Sequence, residues 1–155
     1  MEAFDFRLAK ENDLDFISQL SARVFLKYGA YDETVLDWLL EPEVITVIIA
    51  AGADPLGFAM LTLEREKWLE PRRGHLLAIG VLPKHQRKGI GTALLEHMEK
   101  IARKYGIEEM LLWTAVDNQQ ALSFFQNAGF HIVGSEDHYY PRGQAALALS
   151  KKLSQ

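Results

Sequence analysis

The chain of 155 residues contains no cysteine, and this absence excludes several kinds of chemistry. Disulfide bonds, zinc–thiolate sites and a covalent cysteine acyl-enzyme all require a thiol. The five histidines show neither the HExxH pattern nor another spacing typical of metal ligands. We therefore expect a protein without a bound metal ion.

Long apolar runs and an excess of positive charge are also missing. The longest apolar run, Val44 to Ala51, is far too short to span a bilayer, and the first residues do not resemble a secretory leader. A formal net charge of −4 argues against general binding to nucleic acid. With 48% hydrophobic and 25% charged residues, the composition predicts one globular domain over residues 1–155, without a membrane segment and in the cytoplasm.

The most informative stretch present is residues 75–105, which predicts a strand, a basic turn and a helix. His75 to Val81 is apolar, as in a buried strand, and residues 82–88 are a short basic connection. From Gly89 onward, apolar residues recur at spacings of three and four, which is typical of an amphipathic helix. The apolar stripe consists of Ile90, Leu94, Met98, Ile101 and Tyr105.

The start of this helix has the properties of an anion site. Backbone N–H groups in the first turn of a helix have no internal partner, and the helix dipole adds partial positive charge there. Gly89 and Gly91 have no side chain to keep a ligand away from these groups, and Lys84, Arg87 and Lys88 add formal charge. The turn therefore suits a diphosphate.

Hydrophobic periodicity assigns the remaining segments to an α/β domain with a mixed sheet. The predicted order is strand, two helices, three strands, helix, strand, helix and two strands. Before the central unit we predict a strand at 4–8, helices from 14 and from 32, and strands at 44–51 and 56–66. After it we predict a strand at 108–116, a helix that Asp117 or Asn118 caps and Gly129 stops, and strands at 130–134 and 145–149.

Two motifs resemble signatures of the GNAT superfamily of N-acyltransferases. Residues 86–91, QRKGIG, match the acyl-CoA signature Q/R-x-x-G-x-G/A that follows a strand. Residues 118–130, NQQALSFFQNAGF, are similar to the second signature, N-x-x-A-x-x-x-Y-x-x-x-G-F. The resemblance covers nearly the whole chain. It implies the GNAT fold, a single domain whose mixed, mostly antiparallel sheet is flanked by helices.

The resemblance also implies a site for acetyl-CoA. The backbone of Ile79 and Val81 would pair with the pantetheine arm as an added strand, Asn118 would hydrogen-bond that arm, and Phe124 would pack beside it. Asn118 has an alternative role, because asparagine is a good helix N-cap whatever binds nearby. The diphosphate would be held by the turn that consists of Gln86, Arg87, Lys88, Gly89, Ile90, Gly91 and Thr92.

Transfer to an amine requires a base, an oxyanion donor and an acid. His75 lies where arylalkylamine-type members of the family carry a histidine, which implies a general base; alternatively it only hydrogen-bonds at a sheet edge. Period-two alternation predicts that His75 shares a face with Ile79 and Val81 but lies about 20 Å from Val81, at roughly 3.3 Å per residue. Either a bulge in this strand shortens the path or ordered water carries the proton, and we expect water. Glu64 and Glu66 are reserve bases that would act through water; alternatively they are solvated or paired with Arg72 and Arg73. A backbone N–H near Val81 is the expected oxyanion donor.

The acid and the acceptor are less well defined. Phe125 occupies the position of the tyrosine that protonates the departing thiolate in many family members. Phenylalanine cannot donate a proton, so the general acid is unassigned. Tyr28, Tyr31 and Tyr139 are candidates for the acceptor pocket, or they pack over element ends. We expect an N-acetyltransferase that acts on a small-molecule or peptide amine by direct transfer. The alternative is a non-catalytic acyl-CoA sensor, and the sequence leaves the oligomeric state open.

Overall fold

The computed structural model describes residues 3–25, 31–64, 71–86 and 88–153, with only the backbone for Tyr31 and Asp32. Within these ranges the chain forms seven strands and four α-helices in the predicted order. The strands are β1 (Asp5–Leu8), β2 (Val44–Ala51), β3 (Asp54–Leu63), β4 (Arg73–Val81), β5 (Glu109–Ala115), β6 (His131–Glu136) and β7 (Ala146–Lys152). The helices are α1 (Leu14–Val24), α2 (Tyr31–Leu39), α3 (Ile90–Lys104) and α4 (Gln119–Asn127).

The strands form one sheet in the order β1-β2-β3-β4-β5-β7-β6. Every neighbouring pair is antiparallel except β4 and β5, which are parallel. This arrangement confirms the predicted fold class, a mixed and mostly antiparallel sheet flanked by helices. The assignment of residues 1–155 to a single domain stays a prediction.

The sheet separates two hydrophobic cores. On one face, α3 and α4 bury Leu94, Met98 and Leu122 against the strands. On the other face, Ile17 and Leu20 of α1, together with Val35 of α2, pack on β2, β3 and β4. The apolar stripe of α3 is confirmed except at Tyr105, which is 52% exposed because the helix ends at Lys104.

The hairpin of β2 and β3 begins earlier than its sequence indicates. Return strand β3 spans Asp54–Leu63 rather than 56–66, because Gly52 turns the chain with a φ of +59° and Pro55 already pairs with Ala50 beside a register shift. Glu64 follows the strand, and Glu66 lies outside the described residues.

The start of α1 is fixed by an ion pair and not by a capping side chain. Asp13 lies at the N-cap, but its carboxylate does not cap the helix. It accepts two hydrogen bonds from the Arg7 guanidinium, at 2.6 and 2.8 Å, and one from the Lys10 N–H at 2.7 Å. The charged partner therefore holds the carboxylate at the end of β1.

Among the described residues, no helix is both long and apolar enough to cross a membrane.

Candidate active site

Strands β4 and β5 pair only over their first halves. Arg73 to Leu76 are in register with Glu109 to Leu112, and no pairing follows for residues 77–81. Between the parted ends lies a cleft of about 580 Å³. Its described lining consists of Arg23, Val24, Phe25, Leu76–Val81, Pro83, Gln86, Gly89, Gly91, Thr92, Leu112–Ala115, Asn118, Gln120, Ala121, Phe124, Phe125 and Tyr140.

A bulge in β4 marks the point where the strands part. Met60 of β3 pairs with Ala78 and Leu61 pairs with Leu76, which leaves Leu77 as an extra residue. Leu76 packs in the α3 core, whereas Leu77 and Ala78 both pack against the α1–α2 core. The inside–outside alternation of β4 therefore shifts by one residue after the bulge.

The bulge also determines which backbone groups face the cleft. The Leu82 N–H donates to the Leu56 carbonyl at 2.9 Å, so the alternation of an antiparallel ladder directs the polar groups of Gly80 and Ala78 toward β3. The N–H and C=O groups of Ile79 and Val81 then point toward the parted β5. The Gln86 side chain donates to the Val81 carbonyl at 3.1 Å. This edge can pair with an extended, amide-containing chain.

The basic turn leads directly into α3 beside this edge. Gly89 is the N-cap with a φ of +81°, and the Ala93 N–H bonds back to its carbonyl at 3.0 Å. The preceding N–H groups, those of Ile90, Gly91 and Thr92, come before the first bond of the helical ladder. Arg87 lies outside the described residues, and Lys88 is exposed. The turn thus has the open amides and the positive charge that a diphosphate requires.

Gly91 has a second role, which is close packing with α4. A Cβ atom on Gly91 would lie 3.4 Å from Cε1 and Cζ of Phe124 and 3.9 Å from Cγ2 of Val81. The half-buried Phe124 therefore lies against the start of α3 and forms a wall of the cleft.

Asn118 caps α4 and also lines the cleft. Its Oδ1 accepts a hydrogen bond from the Ala121 N–H at 3.1 Å, so its capping role is confirmed. The amide nitrogen is not needed for that cap. One side chain can therefore cap the helix and still donate to a ligand.

Phe125 contributes only apolar surface. It is 6% exposed and packs edge-on against Phe124 and Phe130, with ring centroids 5.1 and 5.7 Å apart. Tyr140, which is buried, is the one tyrosine among the described residues that line the cleft.

His75 lies in the paired half of β4, opposite Thr62 of β3 and Leu111 of β5. It is therefore in a central strand and not at a sheet edge, and it is not among the described residues that line the cleft. The prediction that it shares a face with Ile79 and Val81 is wrong, because the bulge at Leu77 reverses the alternation. His75 instead lies on the α1–α2 face.

The pKa of His75 is below its ordinary value. Burial is the main cause; the charge of Arg73 adds to the shift and the charge of Glu64 opposes it. The imidazole is therefore neutral at pH 7 and can accept a proton. Glu64 itself accepts a hydrogen bond from the Arg73 N–H at 3.1 Å.

The α1 end of the cleft is aromatic. Trp113 of β5 stacks on Tyr139, with centroids 5.1 Å apart and planes 17° apart, and Tyr139 meets Tyr140 edge-on. Burial raises the pKa of Tyr139, and the charge of Glu136 raises it further. Tyr139 thus supports a cleft wall through Trp113. Tyr28 and the side chain of Tyr31 lie outside the described residues.

Several cleft residues could not be identified from the sequence. Trp113 follows from strand alternation only once the parting of β4 and β5 is known. Tyr140 belongs to a hairpin end that cannot be located without the sheet order. Arg23 and Phe25 line the cleft because α1 ends there, and no local signal indicates this.

Comparisons with known proteins agree with this geometry. A model of the acetyltransferase (GNAT) family matches residues 13–130. An N-alpha-acetyltransferase of Sulfurisphaera tokodaii is 36% identical over 157 residues, which cover 97% of this chain and 93% of that protein. NAA60 of Arabidopsis thaliana, solved in complex with a bisubstrate analogue, has a TM-score of 0.84 at 14% identity and covers 98% of this chain and 100% of that one.

A second solved structure has the same fold. The PaiA N-acetyltransferase of Thermoplasma acidophilum, in complex with coenzyme A, has a TM-score of 0.75 at 19% identity, and the alignment covers 97% of this chain and 99% of that one. The family match spans most of the chain and includes both signatures, so the resemblance drawn from them is confirmed. The chain belongs to the GNAT family of acetyltransferases and is an acetyl-CoA-dependent N-acetyltransferase.

Proposed function

We propose that the acceptor is the α-amine of a peptide N-terminus and that it takes the acetyl group directly from acetyl-CoA while both are bound. The observation that carries this proposal is the cleft, which is lined from both faces of the sheet. Gly89, Gly91 and Asn118 line it on the α3–α4 face, and Arg23 and Phe25 line it at the end of α1. Two substrates can therefore enter from opposite sides. The N-alpha-acetyltransferase relative supports a peptide acceptor.

The residues present fit acetyl-CoA, which supplies an activated thioester. The open amides of Ile90, Gly91 and Thr92 would hold the diphosphate, together with Gln86, Arg87, Lys88 and Gly89 of the same turn. The outward-facing backbone of Ile79 and Val81 would pair with the amides of the pantetheine arm. Asn118 would donate to that arm, and Phe124 would cover it.

Negative charge on the thioester oxygen would be stabilised by a backbone N–H of β4. The N–H groups of Ile79 and Val81 both point toward the cleft, and such fixed donors are effective in a site with little water. The N–H of Val81 would serve as the oxyanion donor, as the sequence predicts. The N–H of Ile79 would pair with pantetheine.

His75 would act as general base from the α1–α2 face of the sheet, which is the side from which the acceptor would enter. It precedes Ile79 by four residues, or about 13 Å at roughly 3.3 Å per residue, so ordered water must link it to the amine. Its lowered pKa keeps it neutral and ready to accept a proton.

Tyr140 is the candidate for protonating the thiolate, because it places a buried hydroxyl-bearing ring on the cleft.

Tyr139, with Tyr28 and Tyr31, would line the path of the acceptor. Tyr139 is the best supported of the three, because its ring stacks on Trp113 at the cleft wall. A small-molecule amine would enter by the same path.

The test is an acetylation assay with a panel of peptides and small amines, in which released coenzyme A and the mass of each acceptor are measured. We expect equal amounts of coenzyme A and of peptide acetylated at the α-amine. Preferential acetylation of small amines would contradict the peptide assignment. Binding of acetyl-CoA without turnover of any amine would indicate a sensor.

A further inference from the structure

Arg23 is the one formally charged side chain among the described residues that line the cleft. It is exposed in the last turn of α1, on the sheet face opposite α3. With Val24 and Phe25 it forms the part of the lining that lies farthest in the chain from the acetyl-CoA turn. An acceptor that reaches the parted strands from the α1 face can therefore contact this guanidinium.

Arg23 also has no ionic partner among the described residues. Other arginines of the chain are engaged: Arg7 with Asp13, Arg73 with Glu109 and Arg103 with Glu99. A solvated arginine at the end of a helix can simply complement the helix dipole. Its position on the wall of the cleft gives it a further use.

We infer that Arg23 selects acceptors that carry a carboxylate within the first two residues from the amine; this inference rests on the proposed function. A guanidinium presents a planar set of donors that matches a carboxylate with two hydrogen bonds. The same charge disfavours an acceptor with a second cation. The enzyme therefore prefers peptides with an acidic residue at position 1 or 2 and discriminates against lysine there.

The experiment measures kcat/KM for peptides that differ only at one residue, which is Glu, Gln or Lys. One set varies position 1 and the other varies position 2, which locates the recognised carboxylate. An exposed ion pair contributes little free energy, and a bidentate contact between arginine and a carboxylate contributes more. We therefore expect the wild type to prefer Glu over Gln by roughly three- to tenfold in kcat/KM. The preference should weaken at high salt.

The variants test whether Arg23 causes this preference. Arg23→Gln should bring the Glu-to-Gln ratio to about one, and Arg23→Glu should make the Lys peptide the better substrate. Lys104→Gln is the matched control. It removes one positive charge from an exposed site at the C-terminal end of α3, and the cleft lies at the N-terminal end of that helix, so the ratio should stay unchanged. Melting temperatures of all variants are compared to detect misfolding.

Phenylalanine and its amide form a parallel pair of small acceptors. A wild-type ratio of one in every pair, or an unchanged ratio in Arg23→Gln, overturns the inference while peptide acetylation still stands. If only small amines are acetylated, the peptide assignment fails. The ratio of kcat/KM for phenylalanine to that for its amide then still tests the role of Arg23. A protein that acetylates none of these compounds overturns both.

Discussion

At the scale of single residues, Gly89 gives the most direct test of the proposed acetyl-CoA site. It is exposed, has a φ of +81° and caps α3 where the diphosphate would lie. Gly89→Glu introduces a negative charge and a side chain there and should abolish binding in calorimetry. Gly52→Glu is the matched control, because Gly52 also has a positive φ and open space around it but lies in the β2–β3 turn. Undiminished affinity in Gly89→Glu would contradict the assignment.

His75 is the second residue with a sharp prediction. General acid–base catalysis contributes about 10²–10⁴-fold, so His75→Ala should lower kcat within that range. The base works when neutral, so wild-type kcat falls as the pH drops through the lowered pKa, below the ordinary histidine value. That acidic limb should vanish in His75→Ala.

His97→Gln is the control for His75, because burial also lowers the pKa of His97 but its ring stacks on Phe6, remote from β5. It should keep the acidic limb. A His75→Ala enzyme within a few-fold of wild type, with the same limb, would assign proton removal to another group.

At the scale of elements, the helices were more predictable than the strand irregularities. The start of α3 at Gly89 and the cap of α4 at Asn118 are local signals, and both are confirmed. The bulge at Leu77 depends on pairing with β3, and the parting of β4 from β5 depends on the whole sheet. No residue spacing within β4 contains that information, so the predicted face of His75 was wrong.

The cap of α4 gives a prediction that separates two roles of one residue. Serine keeps a capping oxygen but lacks the amide nitrogen, so Asn118→Ser should preserve stability and raise the KM for acetyl-CoA. Asn118→Ala removes both groups and should also cost about 1 kcal/mol of unfolding free energy. Chemical denaturation and steady-state kinetics measure the two effects. An unchanged KM in both variants would leave Asn118 with the cap alone.

At the scale of the whole molecule, acid should destabilise the fold. Burial lowers the pKa of both His75 and His97, so each histidine binds a proton more readily in the unfolded chain. Their contribution to stability is complete above the unfolded value near 6.5 and is lost as the pH falls through the folded pKa. The unfolding free energy should therefore fall as the pH drops from 7 to below the ordinary histidine pKa.

A substitution that keeps the stacked ring tests the cause of this loss. His97→Phe retains an aromatic partner for Phe6 and removes the titrating group, so its stability should decrease less on acidification than that of the wild type. Thermal unfolding at several pH values provides the comparison. Parallel curves for the two proteins would show that His97 contributes nothing to the acid response.

The proposed site depends most on β4, which after its bulge would present Ile79 and Val81 to acetyl-CoA as an open strand edge. Amide hydrogen exchange with and without acetyl-CoA tests it residue by residue. Ala78 and Gly80 bond to β3 and should exchange slowly in both states, whereas the amides of Ile79, Val81 and Gly91 should become protected only when acetyl-CoA binds. Ligand-induced protection at Ala78 and Gly80 only, or no ligand-dependent change at Ile79 and Val81, would contradict this arrangement.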